Sequence, residues 1–247
     1  MQKIVFELCA ESVEACDAGR DGGAHRIELC SALSEGGLTP SHGLIRAAIE
    51  RSGLPVHVLL RPRSGDFLYT TAELEVMRDD LKYARSLGAS GAVLGFLHAD
   101  GSVDIERASE FVALAGPLEV TFHRAFDYAA AHEQALEAVI AAGCSRVLTS
   151  GGERDVVRGA TPLALLVKQA AGRIDIAVGG GLRLNNAAGV ARVTGARHFH
   201  GSLRRRVASP MLYQRPGMLE EDGALMKART TVESADVRQM IENLTQA

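Results

Sequence analysis

The stretch KIVFELCAESVEACDAGRDGGAHRIELC, residues 3–30, contains two short apolar runs separated by one helical pattern. Each run ends on the same tripeptide, Glu-Leu-Cys, at residues 7–9 and 28–30. Because side chains alternate along a strand, the acid and the cysteine of each tripeptide lie on one face. The segment therefore predicts a strand–helix–strand unit that carries two carboxylates and two thiols at neighbouring strand ends.

The same alternation continues along the chain. Strand-like runs lie at Lys3–Cys9, His25–Cys30, Pro55–Arg61, Gly91–Leu97, Leu118–His123, Arg146–Ser150, Ile174–Gly179 and Arg197–Ser202. Helical patterns lie near residues 11–21, 41–52, 71–87, 104–115, 131–142, 160–171, 185–194 and 233–245. Eight such units predict an α/β fold, a TIM-type (β/α)8 barrel that forms a single domain over residues 1–247. An open doubly wound sheet is the alternative, but the first strand–helix turn lacks a G-x-G-x-x-G motif.

Composition narrows the function classes. A net charge of −3 and the absence of Trp argue against nucleic-acid binding and against a membrane surface as partner. No apolar run reaches the roughly 18 residues of a membrane span, and no leader precedes the first strand, so we expect a cytoplasmic protein. The four cysteines form no C-x-x-C pair, and Cys16 and Cys144 are expected to be buried as small apolar side chains.

One segment interrupts the alternation. Residues 203–232 form a long predicted loop after strand eight, with Pro210, Pro216 and the basic run at 204–206. Loops of this length are usually functional or mobile. The segment is interpreted as a lid, as a contact in a homodimer or as partly disordered, and its arginines as a solvated face.

Strand parity predicts a polar barrel interior. Helices cover the outer face of the sheet, so the apolar set of each strand points outward and the other set inward. The inward set includes Glu7, Cys9, Glu28, Cys30, His57, Arg61, His123, His198, His200 and Ser202. The polar members concentrate at the carboxyl ends of the strands, where barrel enzymes build their sites. The expected partners of the two acids are Arg61, Arg63 and Arg124; the alternative is an ionic plug that serves barrel closure alone.

Glycine-rich turns follow strands six, seven and eight. Glycine lets backbone amides approach an anion closely, and loops after strands seven and eight commonly bind phosphate in this fold. A phosphate or carboxylate site is therefore predicted at Ser150, Gly151, Gly152, Gly180, Gly181, Gly201 and Ser202, with Arg63. The alternative is that these turns need glycine only for positive φ.

Several motifs resemble those of the CutC family, named for copper homeostasis. They are residues 7–9 (ELC), 26–31 (RIELCS), 33–41 (LSEGGLTPS), 61–69 (RPRSGDFLY), 121–127 (TFHRAFD), 148–151 (LTSG), 179–181 (GGG) and 199–200 (FH). The resemblance implies a TIM-type barrel, a cytoplasmic location and binding of Cu(I) by Cys9 and Cys30. Cu(I) prefers thiolates, and adjacent parallel strands lie about 4.8 Å apart, close to twice a metal–thiolate bond of about 2.3 Å.

Two other functions stay open. In the first, the pocket is the active site of a lyase or isomerase for a small anionic or phosphorylated substrate. Glu7, Glu28 or His123 then acts as general base, and Arg61, Arg63 and Arg124 bind the negative charge. No lysine is predicted at an inward strand end, which argues against a Schiff base. The second is a non-catalytic binding or scaffolding barrel.

Overall fold

The computed structural model of the protein describes residues 4–213 and 228–247, and its sheet is a closed barrel of eight parallel strands in sequence order. Val5 of the first strand pairs with His198 of the eighth, which excludes the open sheet. The strands are β1 Val5–Ala10, β2 Arg26–Leu29, β3 Val56–Leu59, β4 Gly91–Leu94, β5 Glu119–Phe122, β6 Arg146–Thr149, β7 Asp175–Gly179 and β8 His198–Gly201. The predicted barrel is confirmed.

Eight α-helices of the described residues alternate with these strands. They are α1 Val13–Gly22, α2 His42–Ser52, α3 Thr71–Ser86, α4 Ile105–Ala115, α5 His132–Ala141, α6 Ala160–Ala170, α7 Ala187–Thr194 and α8 Ser234–Thr245. Local sequence sets their starts: Ser12 caps α1, and Thr70 with Glu73 forms a capping box on α3. Helix α8 packs against both α1 and α7 and so completes the ring. In the described part of the chain, no helix combines the length and the hydropathy that a membrane crossing requires.

The strand parity expected from the sequence is observed. Phe6 and Leu8 are fully buried in the large core between sheet and helices. Cys9 and Cys30 instead belong to a small separate cluster with Leu59 and Val93, inside the barrel. Cys16 and Cys144 are buried within the outer core, as expected. The alternation therefore places the two thiols in the interior.

Several strand ends differ from the sequence-based expectation. Arg61 and His123 follow β3 and β5 instead of ending them. At Arg61 the chain leaves the ladder, because the Arg61 amide donates to the Thr39 hydroxyl. Likewise, Ser150 follows β6 and Ser202 follows β8.

The segment 203–232 was expected to be a loop, yet its described residues include two strands. These strands, β9 Arg205–Ala208 and β10 Ala228–Thr231, pair in an antiparallel ribbon beside the barrel. Arg204 pairs with Glu11, and Arg205 pairs with Asp236 of α8. Pro216 lies outside the described residues, and the homodimer contact stays a prediction.

The contact between α1 and α8 provides a stability test. A Cβ atom added at Gly22 would meet the Val237 side chain and lie 2.6 Å from the Ser234 carbonyl oxygen. Gly22→Ala should therefore lower the free energy of unfolding by about 1–3 kcal/mol in chemical denaturation. The control is Gly189→Ala, where no atom lies within 4 Å of the new Cβ; it should raise this free energy by up to about 1 kcal/mol. An unchanged stability in the first variant would contradict the packing.

Candidate functional site

A buried carboxylate links the three strands at the closing point of the barrel. Glu7 of β1 accepts hydrogen bonds from Arg26 of β2 and, at 2.8 Å, from His200 Nδ1 of β8. Burial alone would raise the pKa of Glu7, but the His200 hydrogen bond and the Arg26 charge hold it well below its usual range. The pKa of His200 is raised: burial lowers it, and the nearby Glu28 and Glu7 outweigh burial. Glu7 is therefore an ionised, engaged carboxylate.

Below this carboxylate, the amino-terminal half of the barrel holds a network of charged groups. Arg146 donates to the Glu119 carboxylate at 3.0 Å and to the Thr121 hydroxyl at 3.1 Å. His198 Nε2 lies 3.3 Å from Asp175. This layer consists of other residues than the ionic plug considered from the sequence, which paired Glu7 and Glu28 with Arg61, Arg63 and Arg124. It occupies the end of the barrel opposite to the mouth and therefore does not include the acids and thiols at the mouth.

Above Glu7, the structure brings the two predicted thiols together. Cys9 Sγ and Cys30 Sγ are 3.6 Å apart, and Cys9 Sγ is 3.8 Å from Glu28 Oε1. Cys9, Glu28 and His200 each offer one ligand atom, and these atoms all lie within 4.8 Å of one another. The hydrogen bond between the thiols and burial raise the pKa of Cys9 well above its usual value. Burial also raises the pKa of Glu28 to about 7.

The sequence predicted that Arg61 pairs with Glu7 or Glu28, but the structure shows no such pair. Its Nη1 donates to the carbonyl oxygens of Glu35 and Gly37, and its Nη2 donates to that of Gly65. The guanidinium therefore ties together the loops after β2 and β3. Its Nε is buried without a hydrogen-bond partner among the described residues.

His123 lies in the same part of the mouth. Its Nδ1 accepts from the Ala125 amide at 3.1 Å and so caps the short 3-10 helix Arg124–Tyr128. Burial, reinforced by the charge of Arg61, lowers the pKa of His123 to about 3. The ring is neutral at physiological pH and is a poor general base.

Arg63 lies away from the acids. It pairs with Glu73 at 2.6 Å and with Asp66 at 2.9 Å, and donates to the carbonyl oxygens of Ser64, Asp66 and Leu68. Arg63 thus organises the loop before α3, and the expected pairing with Glu7 or Glu28 is wrong.

The turn after β6 is held by an internal carboxylate. Asp127 Oδ1 accepts from the Thr149 hydroxyl and from the amides of Ser150 and Gly152, at 3.0 and 3.1 Å. The Gly151 amide donates to Thr149 Oγ1. The amide donors predicted for an anion at Ser150, Gly151 and Gly152 are therefore occupied by protein acceptors.

The turns after β7 and β8 remain open to the mouth. The amides of Gly180, Gly181 and Leu182 donate to no acceptor in the described ranges. Arg124 Nε pairs with Asp127 Oδ2 at 2.7 Å, so the expected pairing of Arg124 with Glu7 or Glu28 is wrong. Arg124 Nη2 donates to Ser150 Oγ at 2.9 Å, and its guanidinium would lie 3.1 Å from a Cβ at Gly180. Positive φ at Gly151, Gly152, Gly180 and Gly181 shows that turn geometry also requires glycine there. Gly201, in β8, has no positive φ.

These groups share one pocket of about 1610 Å³. Its lining includes Cys9, Glu28 and His200 on one side, Arg61 and His123 on another, and Arg124, Gly180, Gly181, Gly201 and Ser202 on a third. The tertiary structure therefore assembles most of the predicted positions around a common space.

A model of the CutC family matches residues 4–205 of the chain. The chain belongs to the CutC family. A CutC family protein from Chromobacterium violaceum is 48% identical over 248 residues, which is 100% of both chains. Another from Vibrio cholerae is 45% identical over 215 residues, covering 86% of this chain and 85% of the relative. The solved structure of a CutC protein from Streptococcus agalactiae is 32% identical, has a TM-score of 0.75 and covers 81% of this chain and 98% of that one.

Two CutC-family positions in this chain were missed as site-building residues at the sequence level. Arg26 lies two residues before Glu28, the first residue of the second Glu-Leu-Cys tripeptide. Its inward parity in the strand was the signal that could have identified it as a partner of Glu7. Asp127 ends the motif TFHRAFD, but its contact with the turn after β6 spans 23 residues to Ser150. No local pattern predicts such a contact.

Burial of a neutral histidine should make the stability of this CutC-family barrel pH-dependent. Burial lowers the pKa of His57 to about 4, whereas an unfolded chain has a histidine pKa of about 6.5. Between these values the unfolded state binds one more proton, so stability falls as pH falls. His57→Gln removes this contribution, and from pH 7.5 to 5 the variant should lose about 1–2 kcal/mol less than the wild type.

Chemical denaturation across that pH range measures this difference. His98→Gln, at a half-exposed ring, is the matched control and should keep the wild-type pH dependence. Parallel pH profiles for the wild type and His57→Gln would contradict the assignment of a neutral buried ring.

Proposed function

We propose that this CutC-family protein binds Cu(I) through Cys9 and Cys30 at the barrel mouth and acts in copper homeostasis. The observation that carries the proposal is the 3.6 Å separation of two buried sulfurs, one on β1 and one directly after the adjacent β2. Cu(I) is a soft ion that prefers thiolate ligands. The solved relative from Streptococcus agalactiae is named for copper homeostasis, which supports the same reading.

The sulfur separation favours a bent arrangement with a third ligand. Two metal–thiolate bonds of about 2.3 Å placed end to end require about 4.6 Å between sulfurs, but the observed distance is 3.6 Å. A shorter separation is compatible with a bent pair completed by another donor. Glu28 and His200 are the neighbouring candidates, and Glu28 Oε2 has no hydrogen-bond partner among the described residues.

Loss of either thiol should weaken the binding of Cu(I). For Cys9→Ser and Cys30→Ser we expect the affinity, measured by titration against a competing Cu(I) chelator under reducing conditions, to fall by roughly 100-fold or more. Cys144→Ser is the matched control, because Cys144 is a buried thiol of the outer core; it should bind as the wild type does.

The same titration has a pH dependence that serves as a second readout. The Cys9 pKa is raised by its hydrogen bond to Cys30 and by burial, so the thiol is protonated at neutral pH. Binding must release this proton, and the wild-type affinity should rise with pH. Equal Cu(I) affinity in the wild type and in the Cys9→Ser/Cys30→Ser double variant would refute the proposal.

We propose as a second candidate that the pocket takes a small anionic ligand or substrate, as a lyase or isomerase would. The observation favouring it is the volume of about 1610 Å³, far beyond the space that one ion needs. Arg124 and the unengaged amides after β7 meet in one corner. A cationic side chain beside free backbone amides is a suitable setting for a phosphate or carboxylate.

Crystals soaked in high sulfate or inorganic phosphate test this corner. We expect the anion on the amides of Gly180 and Gly181 beside Arg124, and none on the turn after β6, whose amides bind Asp127. Arg124→Ala should abolish the anion density, while Arg63→Ala, in which the altered arginine is held by the loop before α3, should retain it. An empty corner in the wild type at high anion concentration would contradict the anion site after β7.

A further inference from the structure

Two nitrogen donors at the mouth are buried without partners in the described part of the chain. They are Nε of Arg61 and Nε2 of His123, whose residues are only 5% and 6% exposed. A buried polar group without a hydrogen bond costs about 1–3 kcal/mol in proteins, so such groups need an explanation. Neither nitrogen contributes to the thiol cluster of Cys9, Glu28 and His200.

Both nitrogens are donors. Nδ1 of His123 accepts from the Ala125 amide, which leaves the proton of the neutral ring on Nε2. Nη1 of Arg61 uses both of its N–H groups on loop carbonyls and Nη2 uses one, which leaves the N–H on Nε and one on Nη2 for another acceptor. A partner for the two groups must therefore be an acceptor.

The local charge specifies that acceptor further. Arg61 forms no salt bridge with any carboxylate of residues 4–213 or 228–247. Its Nη atoms donate to neutral carbonyl oxygens, and the other groups beside it, the Tyr69 hydroxyl and the Phe67 ring, are neutral as well. His123 adds no charge, because burial lowers its pKa to about 3. The region thus holds one buried, uncompensated positive charge, which is costly unless an anion pairs with it.

One aromatic ring contacts both groups. The Phe67 ring centroid lies 5.0 Å from that of His123 and 5.1 Å from Cζ of Arg61. Phe67 is half-buried, belongs to the loop between β3 and α3, and lines the pocket together with both residues. The ring therefore packs against both side chains at the wall of the pocket.

We propose that Arg61 and His123 form a binding subsite for the carboxylate of a small ligand, with Phe67 as its cover. The proposal rests on the second candidate function, in which the pocket takes an anionic ligand. A carboxylate offers two acceptor oxygens and one negative charge, which match two N–H donors and one positive charge. The subsite lies after β3 and β5, whereas the anion corner lies after β7. The two sites can therefore fail separately.

Formate and acetate are the probes, and the Arg61 Nε–H resonance in ¹H–¹⁵N spectra is the readout. In the wild type we expect a saturable shift with either carboxylate and none with methylammonium. His123→Asn keeps an acceptor for the Ala125 amide, because asparagine is a good helix cap, but its shorter amide group places no N–H at the position of Nε2. It should raise the dissociation constant roughly tenfold or more, the effect of losing one hydrogen bond to a charged group.

Phe67→Ala should lower the dissociation constant several-fold, because no ring must be displaced. Cu(I) affinity, measured on the same samples, should be unchanged in both variants and shows that they are folded. Carboxylate binding without Cu(I) binding would contradict the copper proposal alone. An anion soak that leaves the corner after β7 empty would contradict only the anion site in that corner. The subsite is overturned if the wild type shows no saturable shift, or if His123→Asn binds formate as tightly as the wild type.

Discussion

The contact of Glu7 with Arg26 and His200 joins β1, β2 and β8 where the sheet closes on itself. Removing one partner from a buried ion pair leaves an uncompensated charge and typically costs about 3–5 kcal/mol. The carboxylate also determines what lies above it. It holds His200 beside Glu28 and Cys9. The geometry of the cluster of Cys9, Glu28 and His200 therefore depends on the charge of Glu7, which is not itself a member of the cluster.

Chemical roles are divided around the mouth by strand. The candidate metal ligands Cys9, Glu28 and His200 come from β1, β2 and β8. The N–H donors of Arg61 and His123 that have no partner follow β3 and β5, and the free backbone amides follow β7. Because these groups use different strands of one barrel, the proposed metal site and the proposed anion sites share no side chains. The two proposals are therefore compatible with each other in one pocket.

Internal hydrogen bonding separates structural polar residues from candidate ligand groups. Arg63 and Asp127 carry the expected chemistry, but their donors and acceptors are engaged by neighbouring loops. Arg61 belongs to both groups, because its Nη atoms donate to loop carbonyls whereas its buried Nε has no hydrogen-bond partner among the described residues. A buried atom without a partner is thus a better indicator of a site than the residue type alone.

Alternation and motifs are local properties of the chain, and they were enough to predict the (β/α)8 barrel, the inward parity of Glu7, Cys9, Glu28 and Cys30, and the family. They also predicted a site at the carboxyl ends of the strands. The partners became visible only in the folded chain: Arg26 instead of Arg61 or Arg63 for Glu7, and Asp127 for the turn after β6. These contacts depend on the stagger of neighbouring strands and on loop conformation, which join residues distant in sequence and have no periodic signature.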